Sequence, residues 1–155
     1  EENCDLMIKE IFETLKSHSC KIIFPEDVLI GKNLDDKPQI KELNNIKDDD
    51  IILDIGPKTL DKVKDIIENS ETVLWNGPAG YFENPNFANG SYEIAKTIVK
   101  KNKNNSVFSV VGGGDTIALI NKIRLIENFN FVSTAGGAFL EYLEGKELPG
   151  IKALN

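Results

Sequence analysis

Three consecutive glycines form the stretch of this sequence whose residue types are best suited to bind an anion. Gly112, Gly113 and Gly114 follow the apolar run 106–111, which predicts a buried strand, and precede the apolar-rich segment 116–123, which predicts a helix. Glycines let a backbone approach a phosphate closely, and the first N–H groups of a helix point at it with the positive end of the helix dipole behind them. The stretch is therefore predicted to bind the phosphates of a nucleotide.

Asp115 stands where this glycine turn meets the predicted helix, and two interpretations of it remain open. An aspartate at a helix start is a favourable N-cap, which would be a purely structural role. The same carboxylate beside a phosphate site is a suitable ligand for a hard cation such as Mg²⁺. Taken alone, the residue supports both interpretations equally.

Small residues also follow three other predicted strands, in Gly56-Pro57, in the segment 76–80 and in 135–137. The carboxyl ends of parallel strands meet at one edge of a sheet, and ligands of open α/β sheets bind there. Gly136 and Gly137 open directly into a predicted helix, so their N–H groups are suited to hold a phosphate or an oxyanion. We therefore expect all four turns to lie along one edge.

The hydrophobic pattern around these turns alternates between strands and helices. Predicted strands are 21–24, 28–30, 51–55, 72–75, 107–111 and 131–133, and predicted helices are 5–17, 58–69, 91–101, 115–123 and 137–143. From residue 51 the alternation is regular, which is typical of α/β proteins. We predict one domain over 1–155, an α/β fold with three αβα layers and a mainly parallel, Rossmann-like sheet.

Composition narrows the classes of partner. The chain has 155 residues, 41% of them hydrophobic, and a net charge of −7, which argues against nucleic acid or an anionic membrane surface as a general partner. No run approaches the roughly 18 apolar residues of a membrane span, and no signal-peptide pattern is present. Cys4 and Cys20 form no CxxC motif, so we expect free thiols and a cytoplasmic location.

Together these motifs resemble the C-terminal domain of phosphoglycerate kinase. The resemblance is carried by DIGPKT at 54–59, WNGPAGYFE at 75–83, VGGGDT at 111–116, STAGGA at 133–138 and LEYLEGKELPGI at 140–151. These segments extend over essentially the whole chain, in the order and at the spacing of the family. The resemblance implies a glycolytic kinase that, with Mg²⁺, transfers a phosphoryl group reversibly from 1,3-bisphosphoglycerate to ADP, giving 3-phosphoglycerate and ATP.

The resemblance also implies which residues hold the nucleotide. Asn76 and Pro78 would line the nucleotide cleft, and Glu83 would hold the ribose hydroxyls of ADP or ATP. Asp115 would bind the Mg²⁺ ion, directly or through water. By the residue types alone, Asn76 is equally well explained as a turn residue, and Glu83 is more simply explained as an exposed charge. These two assignments therefore rest on the resemblance to the family.

Five residues of the glycine turns are implied to act on the phosphates. Gly113, Gly114 and Thr116 would bind the β-phosphate and the transferred phosphate, and Gly136 with Gly137 would face the transferring group. These roles agree with the chemistry of phosphoryl transfer, in which positioning and charge neutralisation supply most of the catalysis.

Two departures from the family pattern lead to further expectations. Ala135 stands where the family has a third glycine, and a positive φ there would be strained. The N-terminal domain that holds phosphoglycerate, and a glycine-pair segment with phosphate-binding lysines, are absent from the sequence. We therefore expect a fragment of a monomeric enzyme that carries the Mg-ADP/ATP side of the site and is inactive alone; the alternative is a stand-alone nucleotide-binding module without catalysis.

Overall fold

The strands form two separate three-stranded sheets in the computed structural model, which describes residues 4–154. The first sheet is antiparallel, has the order β2-β1-β3, and consists of β1 (Asp27–Gly31), β2 (Gln39–Glu42) and β3 (Ile51–Ile55). The second is parallel, has the order β4-β5-β6, and consists of β4 (Thr72–Asn76), β5 (Phe108–Gly112) and β6 (Phe131–Val132).

Helices connect and flank the strands. They are α1 (Cys4–Ser17), α2 (Pro57–Glu68), α3 (Asn89–Lys103), α4 (Gly114–Lys122), α5 (Gly137–Leu143) and α6 (Pro149–Lys152). The first five agree with the predicted helices to within two residues at each end. Helix α3 packs against α2 and contacts both β3 and β5, so it joins the two sheets. No helix within residues 4–154 has the length and apolar character needed to cross a membrane.

The predicted α/β, Rossmann-like fold is confirmed, but one strand belongs to a different sheet. Ile51–Ile55 pairs antiparallel with β1, with Asp54 opposite Leu29, instead of joining the parallel sheet. A parallel pair needs a crossover of about a dozen residues or more, normally a helix. The connection from β1 to β3 contains β2 and a single 3₁₀ turn at Leu43–Asn45, so antiparallel pairing is the arrangement that it permits.

The predicted strand at 21–24 is wrong. The segment has no regular secondary structure, and Ile22, Ile23 and Phe24 are 40%, 41% and 57% exposed. An apolar run becomes a strand only when a neighbouring strand pairs with it, and no strand within residues 4–154 does so. Residues 21–24 therefore form an irregular segment that leads into β1.

The core lies around α3, α4 and β5. Ile98, Val111, Leu119 and Ile120 are fully buried in it, and the ring of Trp75 packs at a tilt against Phe129 with centroids 6.4 Å apart. Burial of such side chains stabilises a fold by about 1.5–3 kcal/mol each. This packing fixes the start of α4 directly above the end of β5, which is where the three glycines lie.

One face of the parallel sheet is apolar and open to solvent. Leu74, Phe108 and Phe131 are 45%, 51% and 52% exposed. They belong to three adjacent strands, because Leu74 pairs with Val110 and Val110 pairs with Phe131, while Phe108 is two residues before Val110 on β5. Contiguous apolar patches of this kind commonly mediate association.

We expect the chain to self-associate through this face as its concentration rises. Replacing Phe108 with lysine should shift the association to higher concentration, because a charge cannot be buried there without a partner. Sedimentation velocity over a concentration series measures the effect. Leu34→Lys is the matched control, since Leu34 is 46% exposed but lies outside the sheet, and an equal shift for both variants would contradict this surface.

Candidate functional site

Parallel pairing brings three of the four glycine turns to one edge of the second sheet. Asn76 pairs with Gly112, and Val111 with Val132, so the three strands end at the same level. The Ser133 N–H donates to the Val111 carbonyl at 2.7 Å, which continues the pairing just beyond β6. We call the turns that follow, 76–80, 112–114 and 135–137, the glycine edge.

The fourth turn, Gly56-Pro57, does not belong to the glycine edge, because it follows β3 of the antiparallel sheet. It does bind a carboxylate, but an internal one: the N–H groups of Lys58 and Thr59 donate to Asp27 at 3.1 and 2.8 Å. A Cβ atom added at Gly56 would lie 2.5 Å from Asp27 Oδ2. The expectation that all four turns lie along one sheet edge is therefore wrong for this turn.

Gly112 and Gly113 are required by close packing at the glycine edge. Gly113 is the N-cap of α4 with φ 86° and ψ 137°, and a Cβ atom there would lie 2.9 Å from Asn76 Oδ1. A Cβ atom at Gly112 would lie 2.9 Å from the ring of Phe139 in α5. The contact with Phe139 was not predicted, because no local sequence signal indicates which face of α5 meets β5.

Gly114 differs from its two neighbours because no atom of another part of residues 4–154 would lie within 4 Å of a Cβ atom added to it. It is the first residue of α4, and the N–H groups of the first turn of a helix have no partner within the helix. Open space and available donors therefore coincide at this end of α4. That combination is what an anion site requires.

Thr116 is fully buried and links two turns of the glycine edge. Its hydroxyl oxygen accepts a hydrogen bond from the Gly77 N–H at 2.8 Å. Gly77 itself has φ 118°, a conformation that strongly favours glycine. The side chain of Thr116 thus has a structural partner, while its N–H lies in the first turn of α4.

Asp115 is the second residue of α4 and not its N-cap, which is Gly113. The N-cap interpretation of this residue is therefore wrong, while its carboxylate in the first turn still interacts favourably with the helix dipole. Its side chain is exposed, and no hydrogen bond or ion pair is made to its carboxylate by residues 4–154. The described residues contain no cluster of three or more acidic, histidine or cysteine side chains suited to a metal. One unpaired carboxylate nevertheless fits Mg²⁺, which typically combines one or two carboxylates with water and substrate phosphates.

The α5 start offers a second set of open backbone groups. Gly136 is the N-cap of α5 with φ 57°, and a Cβ atom at Gly136 or Gly137 would meet nothing within 4 Å. Ala135 does not have a positive φ, since among the described residues other than glycine only Asn105 and Arg124 do. Alanine in place of the third glycine is therefore tolerated without backbone strain.

Glu83 lies away from the glycine edge. Its neighbour Phe82 accepts a hydrogen bond from Lys122 Nζ at 3.2 Å, and the same ammonium stands 5.8 Å from the Phe82 ring centroid. Lys122 ends α4, whereas Gly114 begins it, and these positions are about 12 Å apart. Glu83 is exposed, Pro78 is half-buried, and Asn76 is exposed at the end of β4. The predicted residues thus fall into a group at the start of α4 and Glu83, whose neighbour Phe82 contacts the side chain of the last residue of α4.

Comparison with known proteins connects this geometry to a family. The family model described as phosphoglycerate kinase matches residues 1–146. The phosphoglycerate kinase of Wolbachia pipientis from Culex pipiens is 43% identical over 151 residues, and that of Zymomonas mobilis is 43% identical over 149 residues. These matches cover 96% and 95% of this chain but 38% of each relative.

Solved structures agree with the sequence comparison. The fold is similar to that of phosphoglycerate kinase from Coxiella burnetii, with a TM-score of 0.89 and 36% identity over 100% of this chain and 39% of the other. The enzyme from Pyrococcus horikoshii has a TM-score of 0.74 and 31% identity over 99% of this chain and 39% of the other. Since the family model matches nearly the whole sequence, the chain belongs to the phosphoglycerate kinase family.

Proposed function

We propose that the chain provides the Mg-ADP/ATP side of a phosphoglycerate kinase, which transfers a phosphoryl group reversibly between 1,3-bisphosphoglycerate and ADP. The observation that supports this most directly is the convergence of three glycine turns at one sheet edge with Asp115, on the second residue of α4, whose carboxylate has no partner among residues 4–154. The chain spans about 38% of the length of its curated relatives. The part of the reaction that we assign to it is the binding and positioning of one substrate, the nucleotide.

In this proposal the phosphates lie over the open start of α4. The N–H groups of Gly113, Gly114 and Thr116 bind the β-phosphate and the transferred phosphate, and those of Gly136 and Gly137 face the transferring group. Backbone donors fixed by packing need no reorganisation when charge develops during transfer, which is how such groups lower a reaction barrier. The closely packed Gly113 supports this role, because its position is determined by β4 and α4 together.

Asp115 holds the metal in this proposal. When bound there, a Mg²⁺ ion would neutralise part of the negative charge of the phosphates. On the nucleoside side, Asn76 and Pro78 line the cleft and Glu83 accepts hydrogen bonds from the ribose hydroxyls. The contact of Phe82 with the side chain of Lys122, at the other end of α4 from Gly114, supports this division, since a nucleotide is elongated and its ribose and terminal phosphate need separate contacts.

Asp115→Asn tests the metal assignment. In titration calorimetry of the 155-residue chain with ADP, this variant should bind about tenfold more weakly than the unmodified chain when Mg²⁺ is present, a loss of roughly 1.4 kcal/mol. Without Mg²⁺ the difference should vanish or reverse, because the carboxylate then only repels the phosphates.

Asp61→Asn is the matched control for that titration, since Asp61 is an exposed aspartate on α2 outside the glycine edge. It should leave the affinity for ADP unchanged with and without Mg²⁺. A lack of saturable ADP binding by the unmodified chain would contradict the site. An equal loss for Asp115→Asn with and without Mg²⁺ would contradict the metal assignment alone.

Phosphoglycerate is bound, in this proposal, by a domain outside the present sequence, and the full enzyme is a monomer of the cytoplasm. The 155-residue chain should then bind nucleotide but show no turnover in a coupled assay with 3-phosphoglycerate and ATP. Turnover at a rate ordinary for kinases, about 1–100 per second, would contradict the assignment of the acceptor site to another domain.

A further inference from the structure

Asp54, near the end of β3, is a buried carboxylate for which the proposed reaction has no use. It is 1% exposed, and no lysine, arginine or histidine among residues 4–154 forms an ion pair with it. The N–H groups of Ile55 and Gly90 donate to its two oxygens at 2.8 and 2.9 Å. Burial raises the pKa of Asp54 even though both hydrogen bonds oppose the shift. A buried acid without a counter-ion is costly, and such residues concentrate at functional sites.

Two glycines pack directly against this carboxylate. A Cβ atom added at Gly80 would lie 2.5 Å from Asp54 Oδ1 and 2.7 Å from its Cβ, and one added at Gly90 would overlap the same Oδ1. Neither glycine has a positive φ, so the absence of a side chain is required by space and not by backbone conformation. The two glycines bound the segment 80–90, which we call the Glu83 loop. Both ends of this loop therefore rest on one side chain.

Further hydrogen bonds close the loop at the same two ends. The Tyr81 N–H donates to the Leu53 carbonyl at 2.7 Å, next to Asp54 in β3. The Ala79 N–H donates to the Ser91 hydroxyl at 2.9 Å, and Ser91 is fully buried beside Gly90. Glu83 is exposed and lies between these two fixed ends. The contacts that hold the ends together therefore determine the position of Glu83.

We propose that Asp54 is a positioning residue for nucleotide binding, because it holds Gly80 and Gly90 together and thereby sets the location of Glu83. This inference rests on the proposed function. Asp54 belongs to the antiparallel sheet, whereas the glycine edge belongs to the parallel sheet. The position of Glu83 therefore depends on the antiparallel sheet, whereas the phosphate-binding turns depend on the parallel sheet, and the two can be disturbed separately.

Two probes separate the two sides: ADP, and inorganic pyrophosphate, which has phosphates but no ribose. Asp54→Asn loses the acceptor for one of the two N–H groups, and Gly80→Ala forces the loop end away from Asp54. For each variant of the 155-residue chain, titrations with Mg²⁺ should show ADP affinity reduced about tenfold and pyrophosphate affinity unchanged, since displacement of Glu83 weakens its hydrogen bonds to the ribose and leaves the phosphate contacts in place. If Asp54 and Gly80 contributed only to the stability of the fold, the variants would weaken binding of ADP and of pyrophosphate alike.

Glu83→Gln and Gly150→Ala complete the design. Glu83→Gln should reproduce the selective loss, and its combination with Gly80→Ala should lose no more than either single variant, because both remove the same interaction. Gly150→Ala, at a glycine with no atom within 4 Å of an added Cβ and no positive φ, should change neither affinity.

The outcomes distinguish this inference from the proposed function. If Glu83→Gln weakens ADP binding selectively but Asp54→Asn and Gly80→Ala do not, the positioning role is overturned and the proposed function stands. If the unmodified chain does not bind ADP, or Glu83→Gln has no effect, both are overturned. Where a variant is too unstable to titrate, amide hydrogen exchange decides: exchange should rise in residues 81–88 and stay unchanged in 112–116, and an equal rise in both segments would overturn the inference.

Discussion

Replacing Gly113 with alanine is expected to destabilise the chain by about 2–3 kcal/mol and to abolish phosphate binding. The φ of 86° with ψ of 137° is a conformation that residues with a side chain rarely adopt. The added methyl group would also lie 2.9 Å from Asn76 Oδ1, so the end of β4 must move. Urea unfolding followed by circular dichroism measures the stability, and calorimetric titration with pyrophosphate measures the binding.

Gly114→Ala is a matched control within the same turn. Gly114 has no positive φ and no neighbour within 4 Å of an added Cβ, and alanine is the better helix former. Its free energy of unfolding should be unchanged or raised by a few tenths of a kcal/mol, since alanine also restricts the unfolded chain. Equal destabilisation by the two variants would show that the turn needs flexibility in general and not the particular conformation of Gly113.

Replacing Asp27 with alanine should lower the free energy of unfolding at pH 7 by about 2–4 kcal/mol. Asp27 is 1% exposed, and its carboxylate accepts from the N–H groups of Lys58 and Thr59 and contacts the Thr59 hydroxyl at 2.8 Å. Alanine leaves these donors buried without an acceptor at the start of α2. A double-mutant cycle with Thr59→Val would give the part of the loss that belongs to the hydroxyl.

The same replacement has a pH dependence of defined sign. Burial by itself would raise the pKa of Asp27, but the hydrogen bonds from Thr59 and Lys58 outweigh it, and the pKa lies below its ordinary value of 3.8. The folded state therefore binds the proton less tightly than the unfolded state. The stabilisation is complete above pH 3.8 and is lost as the pH falls through the lower, folded value.

Unfolding free energies of the unmodified and Asp27→Ala chains at pH 7 and pH 3 test this. The difference in unfolding free energy between the two chains should be smaller at pH 3. The effects of the other carboxylates on this difference cancel because both chains contain them. Asp61→Ala is the control, as an exposed aspartate of α2, and should change stability by less than about 0.5 kcal/mol at either pH. A constant difference between pH 7 and pH 3 would contradict the role of the ionised Asp27.

Local pattern was sufficient to predict most elements but not their pairing. The apolar spacing identified α2 to α5 within two residues, because each buries one face along its length. It could not indicate that Ile51–Ile55 joins an antiparallel sheet, since an apolar run predicts burial and not the direction of the neighbouring strand. The apolar spacing also predicted a strand at 21–24, but no strand within residues 4–154 pairs with this segment.

The candidate site shows the same division between local and distant determinants. The three glycines and Asp115 could be proposed from the sequence because an anion site at a helix start is encoded in consecutive residues, and their role in binding stays a prediction. The cap position itself was misplaced, because the backbone turn at Gly113 begins α4 without any side-chain cap. The roles of Asp27 and Asp54 depend on contacts with residues 32 and 36 positions away in the sequence. The periodicity of apolar residues contains no information about such distant contacts.

Those two carboxylates have a consequence for the order in which the chain folds. Asp27 and Asp54 supply the acceptors at the starts of α2 and α3 from β1 and β3, so neither helix carries its own side-chain cap. A peptide comprising residues 57–103 would contain both helices but lack both acceptors, so we expect its helix starts to fray. We expect full protection of those first turns to appear only after loops of more than 30 residues have closed, with the entropic cost that closure carries. The hydrogen bonds at the start of each helix thus form late in folding, although the strands that supply the acceptors are synthesised before the helix.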